Sequence, residues 1–261
     1  MALKISVFIA CLAIAAFGVS TMLTSRANAA RPAQAASPQT FEERYPDLPP
    51  DSVARRARSN AVMRAQHVPV NAWLPVIESE RAVKLPSTEE VAVRAAATLV
   101  VALKGEGLEQ VHVDAIVRDY QLAPWLSPKE AAFIADPAPS QADRDVNVWR
   151  YEAANTLLWA LGLVDRLDAP KTPCDPAALA ALLKHNSRAQ FLARAKLRPL
   201  PDILDQADLI FRYRWALVDA RINNRPAPAG LSDDVAMERH QALNWLVQHA
   251  DTGWDDISLD T

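Results

Sequence analysis

The segment 201–222, PDILDQADLIFRYRWALVDARI, constrains the fold more than any other part of the chain. In an α-helix, at about 100° per residue, a group of its charged residues lies within about 60° of one line along the helix. These residues are Asp205, Asp208, Arg212 and Asp219. Because apolar side chains border this stripe on both sides, we predict a central helix with Asp208 and Arg212 paired at i, i+4 inside the protein.

The composition favours helices over sheets in the whole chain. Half of its 261 residues are hydrophobic, only 6 are glycine, and β-branched residues rarely alternate with polar ones. We therefore predict an all-α fold, a single irregular multi-helix domain around the helix at 201–222. The formal net charge of -3 argues against nucleic acid as the main partner.

The first 29 residues have the pattern of an export segment. Lys4 precedes an uncharged run at 5–23, and the small residues Ala27 and Ala29 suit signal-peptidase cleavage. The run is long for a signal peptide and reaches the lower limit for a membrane span. Residues 1–29 are thus predicted to be either a signal peptide or an N-terminal membrane anchor. We expect a periplasmic or secreted protein, or one that is anchored in the cytoplasmic membrane by residues 5–23 and touches the membrane only there.

The remainder divides into a tether and a domain. Residues 30–50 are rich in proline and alanine with little periodicity, which predicts a flexible tether. Residues 51–261 are predicted to form the helical domain, with capping boxes that begin at Ser87 and Ser127. Its first helix carries a basic run, which we interpret as a solvated face: Arg55, Arg56, Arg58 and Arg64.

Polar groups on several predicted helices form the candidate catalytic set. Such grouped carboxylates with raised pKa values could carry out acid–base chemistry or hold a cation. The alternative is that carboxylates and arginines satisfy one another and fix the register of the helices, since buried polar groups must be paired. We favour this second interpretation. The set consists of Glu152, Asp205, Asp208, Arg212 and Glu238.

If these groups line a pocket, its walls are predicted to include indoles from the same helices. In two helices a glutamate and a tryptophan stand seven residues apart, which is two helical turns, so they share a face. His240 is a further polar group that this pocket could contain. The ligand-pocket candidates are Trp149, Trp159, Trp215, Asn244 and Trp245.

No metal ion or cofactor is predicted from the motifs. A di-iron helix bundle needs two Glu-x-x-His repeats, and the sequence has one, Glu109-x-x-His112. The sequence contains no zinc motif, phosphate loop, dinucleotide fingerprint or serine-hydrolase elbow. Cys174 has only Lys171 as a basic neighbour in the sequence, which favours a structural thiol over a nucleophile.

Several longer stretches resemble a known family. They are RRARSNAVMRAQHVPVNAWLP at 55–75, WRYEA at 149–153, RYRW at 212–215 and ERHQALNW at 238–245. Together they resemble the bacterial DUF4272 family from about residue 52 to the end of the chain, most specifically in the last third. This resemblance implies a mostly helical domain of unknown function, and it transfers no catalytic residues.

These observations lead to two functional hypotheses. The first is an exported or membrane-tethered helical domain that acts as a non-catalytic binding or interaction module for an unknown protein or small-molecule partner. The alternative is a small hydrolase-like or ligand-binding enzyme that uses the interhelical carboxylate–arginine cluster. They differ in whether Glu152, Asp205 and Glu238 face an open pocket with unpaired oxygens or are sealed by three arginines, Arg150, Arg212 and Arg239.

Overall fold

The structure, a computed structural model, describes residues 40–248 and 252–261. The predicted leader and the first part of the tether lie outside the described residues. All regular elements in the described part are helical, with no strand among them, which confirms the all-α prediction. The α-helices are α1 (Phe41–Arg44), α2 (Pro50–Ala65), α3 (Thr88–Glu106), α4 (Gln110–Asp119), α5 (Pro128–Ala135), α6 (Gln141–Val148), α7 (Arg150–Ala160), α8 (Pro176–Lys184), α9 (Arg188–Arg194), α10 (Leu200–Ile222) and α11 (Asp233–Gln248).

Short 3₁₀ turns lie at Ala123–Trp125, Pro228–Gly230 and Trp254–Asp256. No helix of the described ranges combines the length and the apolar character that a membrane crossing requires. Local sequence signals start several helices. Ser87 and Ser127 form the predicted capping boxes of α3 and α5 with the glutamates three residues later.

The centre of the domain is α3. Its stretch 95–103 has no charged residue, and all of it except Leu103 is buried. Because small, uncharged side chains let neighbours approach from several sides, α3 packs against every helix from α4 to α9. By contrast, α10 packs mainly against α2 and α11. The prediction that the fold is arranged around 201–222 is therefore wrong in its choice of helix.

The charged stripe of α10 is buried in its middle and open at its ends. Arg212 donates from Nε and Nη2 to the two carboxylate oxygens of Asp208, each at 2.8 Å, and both side chains are buried. This confirms the predicted internal pair. Asp205 is 40% exposed and Asp219 is 26% exposed, so the stripe reaches solvent in both directions.

The folded part begins before the predicted domain boundary. Residues 40–50 were assigned to the tether, yet they contain α1, whose Phe41 is buried. The guanidinium carbon of Arg56 on α2 lies 3.6 Å from the centre of the Phe41 ring. A cation–π contact of this kind depends on a partner that is distant in sequence, which composition does not reveal. The compact unit accordingly spans Thr40–Thr261.

Two further helices, α7 and α11, position Glu152 and Glu238 of the candidate catalytic set. Every residue of α7 after Arg150 is buried, and this helix packs against α3 on one side and α11 on another. In turn, α11 packs against α10. The facing surfaces of α7 and α11 therefore lie inside the domain, where charged side chains must find partners.

Candidate functional site

Glu152 on α7 is bound on both of its carboxylate oxygens. Arg239 on α11 donates from Nε to Oε2 at 3.0 Å, and the backbone N–H of Cys174 donates to Oε1. The side chain of Glu152 is 1% exposed. Both oxygens of this carboxylate are therefore occupied by protein donors, although Glu152 is among the residues that line a small cavity with Trp149 and Cys174.

Glu238 on α11 makes the reciprocal contact with α7. Arg150 donates from Nη1 to Oε2 at 3.0 Å and to Oε1 at 3.2 Å, and it also contacts Gln241 Oε1 at 2.6 Å. Burial raises the pKa of Glu238, while Arg150 opposes the shift. Each of the two helices thus contributes one acid and one base, as the pairing hypothesis predicts.

Asp205 belongs to a different neighbourhood. Arg58 on α2 holds it through Nη2 to Oδ1 at 2.6 Å and Nε to Oδ2 at 3.2 Å, while Arg55 Nε lies 3.6 Å from Oδ1. The structure therefore joins Asp205 to α2, whereas Glu152 and Glu238 join α7 to α11. The candidate catalytic set does not converge on one point.

The prediction of a solvated basic face on α2 is wrong for Arg55 and Arg56, which are buried. Arg55 donates from Nη1 to the carbonyl of Glu78 at 2.9 Å, and Arg56 donates from Nε to the carbonyl of Leu74 at 3.4 Å. Both arginines hold the extended segment that follows α2. The one sequence signal that this face of α2 is buried was the presence of the small residues Ser52 and Ser59 on it.

The four candidate tryptophans do not share a pocket. Trp159 is buried, and the guanidinium of Arg198 lies 5.0 Å from its ring. Trp245 packs edge to face on Trp254 with a centroid distance of 5.8 Å. Trp159 and Trp245 are therefore core residues, and none of the cavities described below is lined by two of the four tryptophans. Their spacing within each helix was correct, but the helices present those faces to different neighbours.

The other pocket candidates lie in separate places. Trp149 lines a shallow cavity of about 180 Å³ beside Cys174. Asn244 lines another, of about 190 Å³, together with the buried His240. Trp215 is half-buried against the core.

A larger cavity, of about 340 Å³, lies beside the charged cluster between α2, α10, α11 and the loop 167–170. We call it the Arg239 cavity. Its walls are mostly apolar, with polar groups at a few points. The apolar residues are Val62, Leu167, Ala169, Pro170, Leu209, Ile210 and Leu243, and the polar ones are Gln66, Asp168, Gln206, Tyr213 and Arg239.

Arg239 connects this cavity to the charged cluster. Its Nε donates to Glu152, and its Nη1 donates to the carbonyl of Asp168 at 2.6 Å. Its Nη2 has no hydrogen-bond acceptor among the described residues, although the side chain is only 7% exposed. The Arg239 side chain that lines the cavity is therefore largely buried, and its Nη2 group has no acceptor within the described protein. The sequence predicted Arg239 as a sealing arginine, but no pattern in it indicated the cavity that this side chain also lines.

The comparison with known families concerns most of the chain. The family model for a domain of unknown function, DUF4272, matches residues 55–257. The chain belongs to the DUF4272 family. No curated protein and no solved structure matches it. The matched range includes both α7–α11 ion pairs and all residues that line the Arg239 cavity.

Two further side chains of this DUF4272 domain, Tyr213 in the Arg239 cavity and Cys174 beside Glu152, have raised pKa values. Tyr213 donates its hydroxyl to Gln66 Oε1 at 2.5 Å, and burial raises its pKa. Burial and the neighbouring Glu152 raise the pKa of Cys174, so its thiol stays protonated. Within the described ranges, no three or more metal-ligating side chains form a group that could hold an ion.

Proposed function

We propose that this DUF4272 domain is a non-catalytic binding module that works beyond the cytoplasmic membrane. The observation that carries the proposal is that each buried carboxylate of the candidate set is held by an arginine. The pairs are Glu152 with Arg239, Glu238 with Arg150, and Asp208 with Arg212.

Acid–base catalysis requires a carboxyl group that can exchange a proton with a substrate within hydrogen-bond reach. Both oxygens of Glu152 already accept hydrogen bonds from protein donors. Arg150 occupies both oxygens of Glu238 in the same way. Such pairs fix how α7 and α11 sit against each other, which is a structural role. The hydrolase-like alternative would need at least one of these carboxylates to be released.

The location outside the cytoplasm rests on the sequence of residues 1–29. Either the segment is cleaved and the domain is periplasmic or secreted, or it is retained and tethers the domain to the membrane. In both cases the body meets its protein or small-molecule partner outside the cytoplasm. We propose that the membrane is contacted only through the N-terminal segment.

The non-catalytic role is tested by the stability of the variant Glu152→Gln. If the pair with Arg239 is structural, removing one partner leaves a buried charge and lowers the free energy of unfolding by about 3 kcal/mol. A catalytic carboxylate behaves differently, because replacing it commonly leaves stability unchanged or raises it. Glu78→Gln is the matched control, since that side chain is exposed. Unchanged or increased stability of Glu152→Gln would contradict the proposal.

The location is tested separately by fractionation of cells that express the full chain, with mass spectrometry of its N-terminus. We expect a periplasmic protein that begins near Ala30, or an intact chain in the membrane fraction. An intact chain in the soluble cytoplasmic fraction would contradict the export part and leave the binding role untouched.

A further inference from the structure

We infer that the Arg239 cavity binds a small uncharged molecule with an apolar body and a carbonyl oxygen. This inference rests on the proposed binding role and adds to it a site and a class of ligand. Three properties of the cavity carry it: its size and walls, its unused donor, and its balance of charge.

The size of the cavity and the residues in its walls determine the apolar part of the ligand. Binding cavities for small molecules begin at about 300 Å³ and are lined mainly by apolar side chains. The Arg239 cavity has about 340 Å³, with Leu209, Ile210 and Leu243 among its walls. At about 30 Å³ for each water-sized volume, it holds a molecule of roughly ten non-hydrogen atoms. An aliphatic or small aromatic body of that size fits.

The free Nη2 group of Arg239 determines the polar end of the ligand. Arg239 Nη2 has no acceptor among the described residues, whereas Nε and Nη1 of the same guanidinium are both bound. Because Nη2 is not fully shielded from solvent, a ligand oxygen at this point replaces water and gains a hydrogen bond that the protein alone does not supply. A carbonyl oxygen is the simplest such acceptor.

The balance of charge selects an uncharged ligand over a carboxylate. Glu152 already neutralises Arg239 at 3.0 Å, and Asp168, which also lines the cavity, adds a carboxylate that is 77% exposed and lies 3.4 Å from Arg166. An anionic ligand would bring a further negative charge into a partly buried site without a counter-ion. An ammonium group would face the guanidinium and offers no acceptor.

Two amides extend the uncharged polar surface. Gln66 uses its Oε1 to accept from Tyr213, which leaves its amide nitrogen as a donor. Gln206 is half-buried, and its side-chain amide makes no hydrogen bond to other described residues. Both can bind the remaining polar atoms of an amide ligand, and neither supplies the charge that a carboxylate would need.

The test compares three probes that share one chain and differ in the head group: hexanamide, hexanoate and hexylamine. Their binding to the full chain is measured by ligand-observed NMR titration. We expect hexanamide to bind, with hexanoate and hexylamine at least about ten-fold weaker, because each would place an unpaired charge in the cavity. Equal or tighter binding of hexanoate would overturn the assignment of an uncharged ligand.

Variants locate the binding site. Leu209→Trp places a larger side chain in the cavity and should abolish hexanamide binding. Ile222→Trp is the matched control on the same helix, because Ile222 is 70% exposed and away from the cavity lining, and it should bind as the wild type does. Arg239→Lys keeps a positive charge beside Glu152 but removes the Nη2 group and the fork geometry of the guanidinium, and it should weaken hexanamide binding about ten-fold.

Two further results would overturn the inference: no binding by any of the three probes, or hexanamide binding that Leu209→Trp leaves unchanged. Neither result affects the stability of Glu152→Gln, which is the measurement that tests the non-catalytic role. The ligand class and the proposed function can therefore fail independently.

Discussion

Arg239 donates to Glu152 at 3.0 Å across 87 residues of sequence. This contact joins α11 to α7, and the pair Arg150–Glu238 joins the same helices in the opposite sense. Together the two pairs neutralise the buried charges between the helices and leave one donor of Arg239 facing a cavity. The charged cluster is therefore a scaffold beside the proposed binding site.

The pair within α10 should be important for stability. Asp208→Ala leaves Arg212 buried without its counter-ion, and we expect the free energy of unfolding to fall by about 3 kcal/mol. Urea denaturation measures the change. The control is Asp202→Ala on the same helix, where an exposed acid in the first turn contributes at most about 1 kcal/mol. Equal losses in the two variants would show that the internal position of Asp208 is not what matters.

Acid should destabilise the domain through His240. Burial, with help from the nearby Arg214, lowers the pKa of His240 from 6.5 to about 4 in the folded state. Between these pH values the unfolded chain binds the proton and the folded chain does not, so stability falls as the pH falls from 6.5 towards 4. The expected loss from this residue is about 3 kcal/mol.

The measurement for His240 is the difference in unfolding free energy between wild type and His240→Gln at several pH values. His240→Gln should lack the loss of stability that protonation of His240 causes, whereas the carboxylates titrate in both proteins and their effect cancels in the difference. His112→Gln is the control, since His112 is exposed. A difference between wild type and His240→Gln that stays constant from pH 7 to about 4 would contradict the lowered pKa.

Gly105 near the end of α3 should not tolerate a side chain. A Cβ there would lie 2.6 Å from the backbone nitrogen of Val148 and 2.9 Å from the backbone carbon of Asn147 on α6. Helix propensity alone predicts that Gly105→Ala stabilises the protein by about 1 kcal/mol. We expect the opposite, a loss of about 2 kcal/mol, because backbone must move.

Thermal unfolding of Gly105→Ala decides between these signs. In the control, Gly253→Ala, the nearest atom to the new Cβ is the side-chain oxygen of Asp256 at 3.4 Å, an ordinary contact. A higher melting temperature for Gly105→Ala than for the wild type would show that α3 and α6 are not packed this closely.

Local signals predicted what is local in this fold. The capping boxes at Ser87 and Ser127 and the i, i+4 pair of Asp208 and Arg212 depend on residues within one turn, and all three were predicted. The all-α class follows from composition and periodicity in the same way. The importance of α3 was missed because a run of small residues is less conspicuous in a sequence than a charged stripe.

The features that the sequence did not predict depend on which faces of distant helices contact each other. The sequence placed Glu152 and Glu238 in one cluster and named Arg150 and Arg239 among the arginines that could seal it, but it could not predict which arginine binds which carboxylate, 87 and 88 residues away. It could not bury Arg55, because the acceptor of that arginine is a backbone carbonyl in an irregular segment. The Arg239 cavity also depends on an irregular segment, the loop 167–170, whose path no periodic pattern predicts.

The most direct test of the scaffold account is a double-mutant cycle between Glu152→Gln and Arg239→Met, read out as the free energy of unfolding. If the two side chains form a structural pair, each single variant is strongly destabilised. The unfolding free energy of the double variant then falls by less than the sum of the decreases in the two single variants, with a coupling energy of about 2 kcal/mol or more. Strictly additive losses would contradict the account, because they would mean that Glu152 and Arg239 act independently.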